Sequence, residues 1–163
     1  MSSTTLMPVE EYFRYSKKPT CEYRDGVLYR KPMPTTSHGL LEFMLVAMLR
    51  KLGLQAAPEV TVRLSPTKYL VPDVIAAPLL QSPNPTEPVL LCCEILSPED
   101  RLGTMLAKCE EYHAWGVPFC WVIDPAKRSA WEYHSGGEPV RVNATLGAGK
   151  RSVSLEELFS ALD

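Results

Sequence analysis

Val89-Leu90-Leu91-Cys92-Cys93-Glu94-Ile95-Leu96 decides the fold. The run is apolar at odd and even positions alike, as a central strand covered by helices on both faces would be. Downstream, a helix ends at Trp115-Gly116-Val117-Pro118, and residues 119–123 form another buried strand stopped by Asp124-Pro125. Upstream, residues 71–77 read as a strand entered through Pro72, and Pro78, Pro83, Pro85 and Pro88 punctuate the loop that follows. Strands and helices thus alternate around one buried sheet, which places the chain in the mixed α/β (α+β) class.

Further out the signals are more local. Residues 37–52 carry Leu41, Met44, Leu45, Met48, Leu49 and Leu52 at helical spacing, with Leu40, Phe43 and Val46 apolar too. A helix covered on most sides is expected there, stopped by Gly53. Asp25-Gly26 between Cys21-Glu22-Tyr23-Arg24 and Val27-Leu28-Tyr29-Arg30 is a hairpin signal. Residues 8–15 read as a short helix and residues 60–64 as a strand. Residues 130–134 and 140–142 read as an exposed hairpin around Gly136-Gly137, whose Trp131 and Tyr133 offer a surface to a second subunit. Ser154 and Glu157 form a capping-box pattern for a terminal helix over 155–162. There is no repeat and no linker, so residues 1–163 are expected to form one domain.

The 163 residues are enough for a core that needs no metal or disulfide staple. A net charge of −2 argues against a protein that coats nucleic acid by bulk charge, while leaving room for contact at one local site. The longest proline-free apolar stretch, residues 43–49, is far below the roughly 20 residues of a membrane span. The first residues show no basic segment followed by an apolar run, so a cytoplasmic location is expected. Cys21, Cys92, Cys93, Cys109 and Cys120 include no C-x-x-C pair and read as reduced core thiols.

Glu94 is anomalous within its apolar strand, because a carboxylate stripped of water costs several kcal/mol unless it meets a cation, donors or solvent. Asp73, between Val71-Pro72 and Val74-Ile75, is anomalous in the same way. Acids on neighbouring strands form a site for a hard divalent cation, Mg²⁺ or Mn²⁺ rather than zinc. The competing reading pairs each acid with an arginine or a backbone turn. Lys108 lies at the margin of an apolar helix face made by Leu102, Met105, Leu106, Cys109 and Tyr112. Its amine can reach inward, or it is a snorkelling surface lysine. An unbroken helix from Pro98 would carry it ~15 Å along the axis and away from the strand end. Delivery of the amine to Glu94 therefore requires a loop over residues 97–103 and a helix start near Thr104. Ser97-Pro98-Glu99-Asp100 argues the other way, since it too resembles a helix start. His38 opens a helix, and its plain reading is an exposed ring beside the cap. His113 reads as structural or exposed. The pairs Lys17-Lys18, Arg30-Lys31, Lys127-Arg128 and Lys150-Arg151 read as solvated turns that could also line a groove.

In order, the chain presents Glu22-Tyr23-Arg24-Asp25-Gly26, His38, Pro72-Asp73-Val74, Glu94-Ile95-Leu96-Ser97-Pro98, Lys108 with Tyr112, Gly116-Val117 and Trp121-Val122-Ile123-Asp124-Pro125. This series resembles the Uma family of putative restriction endonucleases, within the PD-(D/E)XK nuclease superfamily, from about residue 8 to the C-terminus. The resemblance implies a restriction-endonuclease-like fold, a mixed central sheet flanked by helices. It implies that Asp73 and Glu94 are the superfamily's paired acids, holding Mg²⁺ or Mn²⁺ with the backbone carbonyl of Ile95. The lysine usual two residues after the second acid is absent, since Leu96 stands there, and Lys108 matches a lysine moved to the next helix. Glu22 matches an early acid that would bind the ion through water or place a second one. His38 matches a histidine that would contact the scissile phosphate. Thr104 departs from the family, which often has an aspartate there.

The function implied is metal-dependent hydrolysis of phosphodiester bonds in DNA, with a homodimer as the assembly common in such folds. The alternative is a catalytically impaired nuclease-fold module acting in nucleic-acid binding or assembly, which Thr104 and the acidic pI of about 5.9 favour. A serine hydrolase is a distant third, because no G-x-S-x-G occurs.

Overall fold

The computed structural model describes residues 6–15, 20–134 and 136–163. Lys17-Lys18 and the first five residues lie outside the described residues. Helix α1 (Val9–Phe13) precedes a hairpin of β1 (Cys21–Arg24) and β2 (Val27–Arg30). Asp25 and Gly26 both have positive φ, 48° and 90°, as a tight two-residue hairpin turn requires. Helix α2 (Thr36–Lys51) follows, with Thr35 as its cap: the threonine hydroxyl accepts from the His38 N–H at 3.2 Å. Then come β3 (Gln55–Pro58), β4 (Val62–Ser65), β5 (Lys68–Leu70), β6 (Val74–Ala77) and β7 (Leu91–Ile95). Helix α3 (Leu102–Trp115) leads to β8 (Phe119–Asp124), β9 (Ser129–Tyr133) and β10 (Val140–Val142). The chain closes with β11 (Thr145–Ala148), β12 (Arg151–Ser154), α4 (Leu155–Phe159) and a 3₁₀ turn, Ser160–Leu162. Ser154 caps α4 by accepting from the Glu157 N–H.

The main sheet runs β10-β9-β8-β7-β6-β3. It is mixed: β7 and β8 are parallel, and their neighbours pair antiparallel. Parallel strands need a crossover, which α3 supplies. A second sheet runs β2-β1-β5-β4, and β11 pairs with β12. The sheet is flanked by helices, as expected. All five residues of β7 are buried. Leu91, Cys93 and Ile95 pack with Leu41, Leu45 and Leu49 of α2 and with Leu158 of α4. Cys92 packs on the opposite face with Met105, Cys109 and Tyr112 of α3. Side chains alternate along a strand, so Glu94 shares the α3 face with Cys92.

Four expectations change. Helix α2 buries one face only, and Phe43 on the other is 78% exposed. The strand before the proline loop begins at Val74, after Pro72 and Asp73, because proline has no N–H for the ladder. Strands β3, β5, β11 and β12 carry no clear strand pattern in the sequence. Trp131 and Tyr133 do not form an open surface. Trp131 packs on the α3-side core, and the Tyr133 hydroxyl donates to Glu110, because β9 lies inside the sheet between β8 and β10.

Candidate active site

Strands β6 and β7 pair with Val74 opposite Cys93 and Ile75 opposite Cys92. Continuing that register by one residue brings Asp73 opposite Glu94, where both strands end. The backbone N–H of Ile95 donates to Asp73 Oδ2 at 2.6 Å, tying the acid to the partner strand. Beyond β7 the chain makes a compact turn, not a helix. The Ser97 N–H and hydroxyl both donate to Asp100 Oδ2, at 2.9 and 3.0 Å. Helix α3 then starts at Leu102, close to the position that delivery of Lys108 demands. Met105, Cys109 and Tyr112 anchor its buried face, and Lys108 lies on that face rather than snorkelling at the surface.

Lys108 Nζ lies 2.8 Å from Glu94 Oε1 and 3.1 Å from Glu22 Oε2. Tyr112 donates its hydroxyl to Glu94 Oε1 at 2.5 Å. Glu22 comes from the second sheet. Along β1, Cys21 and Tyr23 turn away, and Tyr23 joins an aromatic cluster with Tyr12 and Tyr69. Glu22 and Arg24 face the other way. Glu22 accepts from the Val71 N–H at 2.8 Å, and Arg24 pairs with Glu111 of α3 at 2.9 Å. Neither acid of the predicted pair is clamped by an arginine.

Asp73 has two further partners. Lys31 Nζ is 2.8 Å from its Oδ1, and His38 Nε2 is 3.2 Å from its Oδ2. An ionised carboxylate only accepts, so Nε2 carries the proton. The His38 ring is buried against Asp73, not exposed beside the cap. Lys31 also donates to the Val71 carbonyl at 2.8 Å and reaches Glu59 Oε2 at 2.9 Å. Lys31 and Glu59 were not among the expected site residues, and Lys31 is no solvated turn. Glu59 holds φ at 54° without being glycine, an uncommon conformation that it shares with Asp25 and Arg128. Its N–H donates to the Asp73 carbonyl at 3.1 Å.

These groups line a cavity of about 950 Å³ with the backbone at Ile95, and Thr104 lies along it. Its wall carries seven acids against four lysines and arginines, so it attracts cations. Burial raises Asp73, but the hydrogen bond from His38 and the charges of Lys31 and His38 outweigh it and hold the carboxyl well below the usual range. Burial pushes Glu94 up to about 7 despite the Lys108 ammonium. Burial pushes Glu42 up to about 7 as well, helped by the charge of Glu59. At His38 burial opposes the charged form, but Asp73 and Glu42 win and raise it. Burial and the Glu94 carboxylate hold Tyr112 well above its ordinary value, so its hydroxyl stays a donor. His113 is structural, with its ring nitrogens 2.7 Å from the Val117 and Tyr133 carbonyls.

The donors suit a hard divalent cation. They are carboxylates and a backbone carbonyl, with one imidazole, and the five cysteines are all in the buried core. One ligand atom each from His38, Glu59 and Asp73 lies within 4.8 Å of the others. The buried His38 Nδ1 has no hydrogen-bond partner among the described residues. Glu94 stands outside that trio, with its carboxylate turned to Lys108 and Tyr112.

Residues 9–163 match the sequence model of the Uma2 family, described as "Putative restriction endonuclease". Among solved structures, the chain is similar to the crystal structure of a putative nuclease belonging to DUF820 from Anabaena variabilis. The two are 20% identical with a TM-score of 0.81, over 96% of this chain and 99% of that one. At that identity the likeness establishes the fold. No curated protein matches the chain. Among the described residues, no helix is long and apolar enough to cross a membrane.

Proposed function

The chain belongs to the Uma2 family of putative restriction endonucleases, and from that membership and the chemistry of the cavity we propose a Mg²⁺- or Mn²⁺-dependent endonuclease that hydrolyses phosphodiester bonds of DNA. One observation carries the reading. Two buried acids end adjacent strands, and a buried ammonium stands 2.8 Å from one of them. Asp73 and Glu94 would hold the ion with the Ile95 carbonyl. When bound, it would polarise a phosphoryl oxygen and lower the pKa of a water.

The protein's own groups do the rest. Lys108 orients the attacking water and offsets the negative charge that grows on the phosphoryl group in the transition state. Its charge is secure, because the Glu94 and Glu22 carboxylates overcome burial and raise it above the ordinary lysine value. Tyr112 fixes the Glu94 carboxylate by hydrogen bond. Glu22 fixes Lys108 from the second sheet, which supplies a hold on the amine without an aspartate at position 104. His38 orients Asp73 through its Nε2–H. DNA is favoured as substrate by the family's description, and the acidic pI limits its affinity to this local contact.

The test is cleavage of supercoiled plasmid with and without Mg²⁺ or Mn²⁺. Asp73→Ala and Glu94→Ala should each abolish it in protein that remains folded. Cleavage unchanged in both folded variants would overturn the reading.

A further inference from the structure

We propose that Asp73 shares a divalent ion with Glu59 in the oxygen cage now held by the Lys31 ammonium, and that Lys31 is a tethered counter-ion which the incoming ion displaces. The inference rests on the metal-dependent reading above and goes beyond it by adding a ligand and a competitor.

Lys31 lies just past the end of β2 and sends its side chain into the cavity. An ammonium has three N–H donors and no acceptor. The three donors meet three groups: the Val71 carbonyl at 2.8 Å, Asp73 Oδ1 at 2.8 Å, and the Glu59 carboxylate at 2.9 and 3.1 Å. Such a cluster of oxygens, two of them from acids, is what a hard divalent cation takes as its first shell. His38 stands beside the same acids with its Nε2–H on Asp73 Oδ2, and its buried Nδ1 has no hydrogen-bond partner among the described residues.

The ammonium and an ion cannot occupy the same oxygens. The two also differ in charge, and the doubly charged ion is the better match for a wall with surplus acid. The Lys31 side chain is 12% exposed and Glu59 is 36% exposed, so the cage opens to solvent on the Glu59 side. The lysine stem can therefore swing outward without crossing the core. Until it does, only the fraction of molecules with Lys31 withdrawn can take the ion, and the apparent affinity is lowered by that fraction. Displaced, the ammonium remains tethered at the cavity mouth, where an incoming phosphate would meet it.

The experiment is calorimetric titration of the full chain with Mn²⁺ alone, on the native protein, Lys31→Met, Lys31→Gln and Glu59→Gln. Circular dichroism checks that each variant is folded. The Lys31 variants should bind about tenfold tighter or more, and Glu59→Gln should bind weaker. Acetylation of the native protein read by mass spectrometry gives a second measurement that needs no variant. Lys31 should be protected without Mn²⁺ and should react when Mn²⁺ saturates. If the native protein binds Mn²⁺ but the Lys31 variants bind no tighter, or Lys31 stays protected at saturation, the inference fails and the metal-dependent reading survives. If neither native protein nor variants bind Mn²⁺ at millimolar levels, both fail.

Discussion

Lys108 Nζ stands 2.8 Å from Glu94 Oε1, although the two residues belong to different elements separated by a turn. Each is the other's answer to burial. Glu94 is 2% exposed and Lys108 is 6% exposed, and neither charge would be tolerated there alone.

Lys108→Met leaves Glu94 and Glu22 facing each other in the cavity without their shared cation. Loss of one partner from a buried pair costs roughly 3–5 kcal/mol. Urea unfolding at pH 8 should register that loss. At pH 5 the loss should be smaller, because Glu94 titrates at about 7 and is then protonated in the folded chain. An equal loss at both pH values would mean that Lys108 does not compensate these acids.

The stability of metal-free protein should decline as pH rises through the weakly acidic range. Glu94 and Glu42 titrate at about 7 when folded and near 4.5 when unfolded. Between those values the folded chain binds more protons than the unfolded one, so stability falls with rising pH. His38 adds to the trend. Its raised pKa gives stability that is full below 6.5 and lost as pH climbs through the folded value. Asp73 works oppositely: its contribution is present above 3.8 and lost as pH drops through its lower folded value. Urea midpoints from pH 4 to pH 8 should therefore peak near pH 5, and Glu42→Gln should flatten the fall. A native profile rising from pH 5 to pH 7 would contradict these assignments.

Gly116→Ala should destabilise the helix that carries Lys108. Gly116 holds φ at 122°, and a Cβ there would stand 2.9 Å from Pro88 Cγ. Gly53→Ala is the control, since φ is 83° but nothing lies within 4 Å. Left-handed strain alone costs about 1–2 kcal/mol. The excess loss at Gly116, read by thermal unfolding, combines the strain of its wider φ with the clash against the proline loop. Equal losses at the two sites would remove that contact from the account.

The central strand was legible because its apolar run admits only a position covered on both faces, and the two misplaced acids stood out against it. Lys108 was legible as a condition, a loop before a late helix start, and Ser97 with Asp100 makes that loop. Strands β3 and β5 were not legible: Gln55–Pro58 carries no β-branched residue, and Lys68–Leu70 is too short to show a period. Strands β11 and β12 share the difficulty, with two glycines or alanines in four residues at Thr145–Ala148. Lys31 and Glu59 escaped for a different reason. Arg30-Lys31 is a pair of charges before prolines, and nothing in its neighbours reveals that one stem turns inward while the other faces water. Such a choice is made by the partner acids, which lie far along the chain.

Asp73 and Glu94 end two strands of the larger sheet, whereas Glu22 belongs to a strand of the smaller one and Lys31 follows its hairpin. In chain order Lys31 and His38 precede Asp73, whereas Lys108 follows Glu94, so a growing polypeptide that has not reached residue 108 carries Glu94 without the ammonium that balances it. The full set of charges is therefore balanced only once both sheets and α3 have come together.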